Sequence, residues 1–410
     1  MKDLNQLKKD YARLLIREGL NVQKGQRTLV QSPVECAEFA RLLVHEAYEA
    51  GSREVIVKWY DDFLARERYL YAEDSVFDEV HPWDKCLMDT VADEKIARIV
   101  IYAEDPENLK GVDSGRITRE QVARGAALEK FRVAQMRNEF QWNVCSVPTV
   151  KWAKAVFPDL SEDEAMEKLW EAILKSSRVD GGDAVENWSS HSDEIQAHVK
   201  LMNDYDFKSL HYTNSLGTDF TVELPENHYW AGGAEKSADG IEFSANIPTE
   251  EIFTLPLKDS ANGKIVASKP LCLNGNIIEN FYFIVKDGKI VEAAAAKGED
   301  ILKAAIAVDE GASYFGEVAL VPYDSPISDS GILFLNTLFD ENASCHIAFG
   351  EAYPCIHGAE GKSDEELKEL GVNYSMMHED FMVGTRDLSI VGTTRDGREI
   401  QVFKDGNFAF

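Results

Sequence analysis

The stretch RTLVQSPVECAEFARLLVHEAYEAGSREVIVKW, residues 27–59, decides the architecture of the first half of the chain. Its hydrophobic period changes twice. RTLVQS (27–32) is a short apolar run, VECAEFARLLVHEAYEAG (34–51) carries apolar residues at helical spacing and is closed by Gly51, and EVIVKW (54–59) is β-branched and reads as a strand buried on both faces. The alternation continues outward. KIARIVIYA (95–103) reads as a third strand and TREQVARGAALEKFRVAQMRNEF (118–140) as a long helix capped by Thr118 with Glu120 in its first turn. WNVCSVPT (142–149) reads as a fourth strand, and SEDEAMEKLWEAILKSS (161–177) as a helix opened by a capping box from Ser161 to Glu164. Strands alternating with helices predict an α/β domain over residues 1–205 with a mostly parallel, doubly wound sheet.

Past residue 205 the punctuation changes. KSLHYTNSLGTDFTVEL (208–224) is hairpin-like. SANGKIVASKPL (260–271) places Asn262-Gly263, and FYFIVKDGKIVEA (281–293) places Asp287-Gly288, where type I′ turns would sit. Helices through EDILKAAIAVDEG (299–311) and SGILFLNTLFDENAS (330–344) interrupt these strands. The expectation for residues 206–410 is an α+β, predominantly antiparallel domain, joined to the first by no low-complexity linker.

Composition narrows the partners. The chain has 410 residues, longer than one hydrophobic core usually serves, and 43 Lys and Arg against 72 Asp and Glu give a net charge of −29. That balance repels phosphate backbones and anionic lipid, so neither nucleic acid nor membrane is expected as a partner. The opening MKDLNQLKKDYARLLIREGL lacks a continuous apolar core and does not read as a signal peptide, and no run of about 18 apolar residues occurs. Six cysteines without a CxxC pair fit a reducing, cytoplasmic setting.

Familiar motifs fail. GAEGKS (358–363) lacks the first glycine of a phosphate loop, because Ile356 stands there; HEDFM (378–382) has Met382 where a zinc-protease helix needs its second histidine. No GxGxxG follows a strand in the first half, and GTRDLSI offers no serine at a nucleophile elbow. What remains is a set of metal-competent side chains in short apolar segments of the second half. NIPTEEIFTLP carries Glu250 and Glu251, YFGEVALVP carries Glu317, SCHIAFGEAYP carries His346 and Tyr353, and MMHEDFMVG carries His378 and Asp380. A carboxylate in a strand such as GEVALV needs a partner, since an unpaired buried charge is very costly. His378 and Asp380 are two apart and share one face of a strand. Each has an ordinary alternative: Glu317 could pair with a Lys or Arg, His378 with Asp380 in a structural hydrogen bond, and Tyr353 could simply pack in a core. His357 and Glu351 read as surface or supporting residues. A single cause accounts for the whole set more economically, namely two divalent ions held by mixed carboxylate and imidazole ligands.

IPTEEIF, GEVALVP, His346 with Tyr353 seven residues on, and HED at 378–380 resemble, in order and spacing, the cytosolic metalloaminopeptidases of the aminopeptidase T, aminopeptidase S and PepS family. The resemblance extends to the opening ARLLIREGLNVQKGQ. It implies that Glu251, Glu317, His346, His378 and Asp380 are the metal ligands, selecting Glu251 over Glu250. It also implies that Tyr353 is a catalytic phenol serving the oxyanion. Glu317 would then bridge the ions and receive the proton of water. Two zinc, cobalt or manganese ions per subunit in the C-terminal domain, a homodimer, and peptide substrates with a free N-terminal amine follow from the same resemblance. Two rival readings are a dinuclear amidase or phosphoesterase, for which no Lys or Arg cluster flanks the motifs, and a silent metal-stabilised dimer, which has no need of Tyr353.

Overall fold

The computed structural model describes residues 3–273, 276–359 and 361–410, and divides the chain into two compact units. One comprises Met1–Asp193, Gly233–Thr249 and Ile332–Leu338; the other comprises Glu194–Gly232, Glu250–Gly331 and Phe339–Phe410.

The first unit is built on strands β1 (Arg27–Pro33), β2 (Glu54–Tyr60), β3 (Ala97–Ile101) and β4 (Trp142–Cys145), all parallel, in the order β2-β1-β3-β4. The helix Ala37–Glu49 is the crossover from β1 to β2, and its apolar face buries Phe39, Ala40, Leu43 and Ala47. This is the α/β arrangement expected from the alternating periods. The strand read as buried on both faces is not: β2 lies at the sheet edge, its residues are only part-buried and Trp59 is 43% exposed. β-branching made β2 look central, but position in the sheet is set by pairing partners outside the segment. The helix expected at 118–140 starts earlier, at Ser114, because Asp113 caps it by accepting from the Gly115 backbone N–H at 2.8 Å. Thr118 lies inside it, bonding back to the Ser114 carbonyl at 3.0 Å, and the helix breaks at Leu128 before resuming over Glu129–Met136.

In the second unit the strands pair antiparallel. One sheet of nine strands includes Phe207–Thr213, paired with Asp219–Glu223, and the hairpin Asn276–Lys286 with Lys289–Lys297. That hairpin turns through Asp287 and Gly288 at φ 49° and 79°, the left-handed pair a type I′ turn requires. Asn262-Gly263 does not turn: both residues lie in the strand Asn262–Val266, and a Cβ on Gly263 would stand 2.2 Å from the Asp219 carbonyl oxygen of the neighbouring strand. The glycine there serves close backbone approach. The second sheet has five strands: β5 (Ala231–Gly232), β6 (Ile252–Thr254), β7 (Phe315–Leu320), β8 (His346–Gly350) and β9 (His378–Met382), in the order β9-β8-β7-β6-β5. Phe281 and Phe283 of the large sheet meet Phe349 and Phe381 of the small one, with ring centroids 5.2–5.9 Å apart for Phe283–Phe381 and Phe283–Phe349, so aromatic packing joins the sheets. The helix expected through 330–344 is confined to Thr337–Asp340 and a following turn, Glu341–Ala343; Leu335 takes φ 55°, which no α-helix continues through.

The Ser161 capping box is present, with Glu164 N–H donating to Ser161 Oγ at 3.3 Å and Ser161 N–H to Glu164 Oε2 at 3.1 Å. Ser161→Ala should therefore lower stability by about 1 kcal/mol. Urea unfolding followed by tryptophan fluorescence, to which Trp170 of this helix contributes, would show it; an unchanged midpoint would refute the cap.

Candidate metal centre

Register explains why the acidic and imidazole groups meet. Glu317 on β7 lies opposite Ala348 on β8, which lies opposite Asp380 on β9; Ala319 lies opposite His346, and Gly350 opposite His378. Glu251, two residues before Phe253, shares the face that pairs Phe253 with Ala319. With side chains alternating across a strand, Glu251, Glu317, His346, His378 and Asp380 all fall on one face. Small residues, Ala319, Ala348 and Gly350, stand between them on that face, with Phe253 and Met382 at its margins. The other face presents Ile252, Val318, Leu320, Ile347, Phe349 and Phe381 to the aromatic core.

The distances group around one carboxylate. His346 Nε2 is 3.3 Å from Glu251 Oε2 and 3.5 Å from Glu317 Oε1, while His378 Nε2 is 3.7 Å from Glu317 Oε2 and 3.5 Å from Asp380 Oδ2. Each oxygen of Glu317 thus faces a different imidazole. Ligand atoms of Glu251, Glu317 and His346 lie within 4.8 Å of one another, and so do those of Glu317, His378 and Asp380. Glu250 belongs to neither group; its backbone N–H donates to Asn342 Oδ1 at 2.8 Å. Tyr353 stands beside the centre, its ring edge-on to that of His378 with centroids 5.3 Å apart.

Both histidines are oriented by main chain. Nδ1 of His346 lies 3.1 Å from the Ser344 carbonyl and Nδ1 of His378 lies 2.7 Å from the Glu351 carbonyl. A carbonyl only accepts, so Nδ1 carries the proton in each ring and Nε2 is the atom turned toward the carboxylates. Gly350 makes this possible for His378. At φ 107° the chain leaves β8 in a left-handed conformation, and a Cβ there would stand 2.1 Å from the Met377 carbonyl oxygen. Buried Asn373 secures the same bend, donating from Nδ2 to the carbonyls of Gly350 at 2.6 Å and Gly311 at 2.8 Å.

The supports were invisible in the sequence. Ser344 and Glu351 act through carbonyls, which every residue has; Asn342 and Asn373 carry no motif, and only a buried asparagine without an apolar neighbour pattern would have marked them.

Electrostatics fits cation binding. Burial lowers both imidazoles, but Glu251, Glu317 and Asp380 outweigh it for His346, and Asp380 and Glu317 do so for His378, which is pushed up to about 10. Burial raises the Glu317 carboxyl and that rise prevails, whereas His378 and His346 hold Asp380 below its usual range despite burial. Asp380 Oδ1 is buried with no hydrogen-bond partner. An orphaned carboxylate oxygen, two imidazoles whose Nε2 atoms converge on carboxylates, and the absence of any thiolate in either group fit hard-to-borderline divalent ions. Cys345, beside His346, is turned to the Val321 carbonyl and belongs to neither ligand group, and burial pushes its thiol up to about 12.

The sequence profile of the family described as thermophilic metalloprotease (M29) matches residues 4–408. The chain belongs to that family. Aminopeptidase AmpS of Bacillus subtilis is 44% identical over 100% of both chains, and aminopeptidase T of Thermus aquaticus is 38% identical over 99% of this chain and 98% of its own. The solved structure of wild-type AmpT from Thermus thermophilus superposes with a TM-score of 0.93 at 35% identity, covering 100% of each chain. As an M29 member the chain is a metalloprotease, a hydrolase of peptide bonds. Among the described residues no helix is long and apolar enough to cross a membrane.

Raised histidines stabilise the metal-free fold fully below their ordinary value, and for His378 that contribution is lost as pH rises through about 10. At pH 7.5 His378 of the metal-free centre therefore carries a proton on Nε2, which a metal bound there would displace. Calorimetric titration of zinc into metal-free protein should show proton release, seen as an enthalpy that varies with the ionisation enthalpy of the buffer. Identical enthalpies in phosphate and Tris would contradict the assignment.

Proposed function

We propose that this chain is an aminopeptidase that releases the N-terminal residue of peptides, using two cocatalytic divalent ions held by Glu251, Glu317, His346, His378 and Asp380. The observation that carries the reading is the Glu317 carboxylate, whose two oxygens face different histidines and complete two ligand groups at once. Zinc, cobalt and manganese all suit this mixture of oxygen and nitrogen donors. Bound there, the ions supply Lewis-acid polarisation and water acidic enough to act near neutral pH.

The chain's own groups do the rest. Glu317, buried with one oxygen toward each imidazole, is the carboxylate placed to receive the proton of the attacking water. Tyr353, beside His378 but outside both ligand groups, donates its phenolic hydrogen to the oxygen that gains charge as the peptide carbon becomes tetrahedral. An enclosure this acidic favours a substrate that brings a positive charge, and the free N-terminal amine of a peptide does so. The names of the relatives agree with cleavage at that end. In this reading the unit of Glu194–Gly232, Glu250–Gly331 and Phe339–Phe410, most of residues 206–410, is the catalytic one, and the working protein is a cytoplasmic homodimer.

Two experiments test it. Aminoacyl-p-nitroanilides should be hydrolysed, activity should vanish on chelation and return with zinc, cobalt or manganese, and N-acetylated counterparts should resist; equal turnover of blocked and free substrates would indicate an endopeptidase or amidase. Tyr353→Phe should lower kcat by ~10²–10³ with metal content unchanged. A tyrosine that merely packs would instead cost about 0.5–1.5 kcal/mol of stability and leave kcat within about threefold.

A further inference from the structure

The small sheet has apolar clusters on both faces, and only one of them is the aromatic core. Side chains alternate along β6, so Ile252 joins that core while Phe253 takes the face shared by Glu251 and Ala319. There Phe253 packs against Leu255, Ala352, Cys355, Ile356 and Val372, none of which belongs to the core.

Two observations bring Phe253 to the edge of the metal centre. Across the sheet it lies opposite Ala319, which lies opposite His346, so its main chain is two strands, ~10 Å, from that of a proposed ligand. Over the sheet its ring centroid is 6.0 Å from that of Tyr353, which is 5.3 Å from that of His378. Phe253 stays part-buried although Ile252 and Thr254 on either side are each 1% exposed. Its ring can neither ligate an ion nor move a proton, so the chemistry of the centre leaves it without a task.

Resting on the aminopeptidase reading, we propose that Phe253 is the wall against which the side chain of the peptide's first residue packs, so that substrates with a large apolar first residue are selected. The amine and the scissile carbonyl of that residue flank one α-carbon. With both held at the acidic centre, the side chain leaves over the adjoining surface, and an apolar side chain gains there only by covering Phe253. A phenylalanine that merely braced Tyr353 would serve every substrate alike.

The test compares kcat/KM for leucyl- and glycyl-p-nitroanilide on metal-loaded wild-type and Phe253→Ala protein. Wild type should prefer the leucyl substrate. In the variant the leucyl-to-glycyl ratio should fall about 10- to 100-fold, as expected for the loss of an apolar contact to one side chain. The ratio of the calorimetric Kd values of L-leucine and glycine should move in the same direction, with metal content unchanged. Phe253→Leu, which keeps apolar contact but less of it, should give an intermediate ratio and serves alone if Phe253→Ala does not fold. A wild-type enzyme indifferent to the first side chain, or a ratio that holds in the variants however far both rates fall, would overturn the assignment. Failure of the aminopeptidase reading would look different: wild-type protein would hydrolyse neither substrate.

Discussion

The centre depends on one carboxylate in a strand that has no business holding one. All six residues of β7 are buried, and Glu317 is among them. In such surroundings an ionised carboxylate without partners is untenable, so the neighbouring strands must bring cations or proton donors to it. They bring two imidazoles, one to each oxygen, and each imidazole draws in a second carboxylate, Glu251 or Asp380. The result is a cluster in which carboxylates and imidazoles balance one another, with donor atoms close enough to hold divalent ions.

The sheet that carries the cluster is two-faced. Register places all five proposed ligands on one side and the aromatic core on the other, so a slip of one residue in β8 or β9 would turn His346 or His378 into the core and Phe349 or Phe381 to the side of the proposed metal centre. Burial of Phe349 and Phe381 against Phe283 fixes the register, and in doing so positions His346 and Asp380 relative to Glu317. Stability and function share these strands.

How much of this was legible follows from range. The parallel half announced itself because strand and helix periods are local, and the Ser161 capping box because its two residues are three apart. His378 and Asp380 were legible as a pair for the same reason, and Glu317 because a lone charge in an apolar strand is conspicuous. Misreadings came where long-range contacts decide: β2 is an edge because, among the described residues, no strand pairs beyond it, and Asn262-Gly263 runs on as strand because Asp219 of a neighbouring strand passes too close for a side chain. The choice of Glu251 over Glu250 came from family resemblance; the register of β6 against β7 supplies its physical counterpart. Asn342 went unnoticed at the end of an apolar run read as helix, since nothing in that run shows that the chain turns there toward Glu250.

The central claim is that five side chains hold two ions that share Glu317. Crystals of zinc-loaded protein, with data collected on both sides of the zinc absorption edge, measure this directly. The account predicts two anomalous peaks per chain, one with Glu251 and His346, the other with His378 and Asp380, and Glu317 in contact with both. A single peak at full occupancy, or two peaks of which only one touches Glu317, would contradict it.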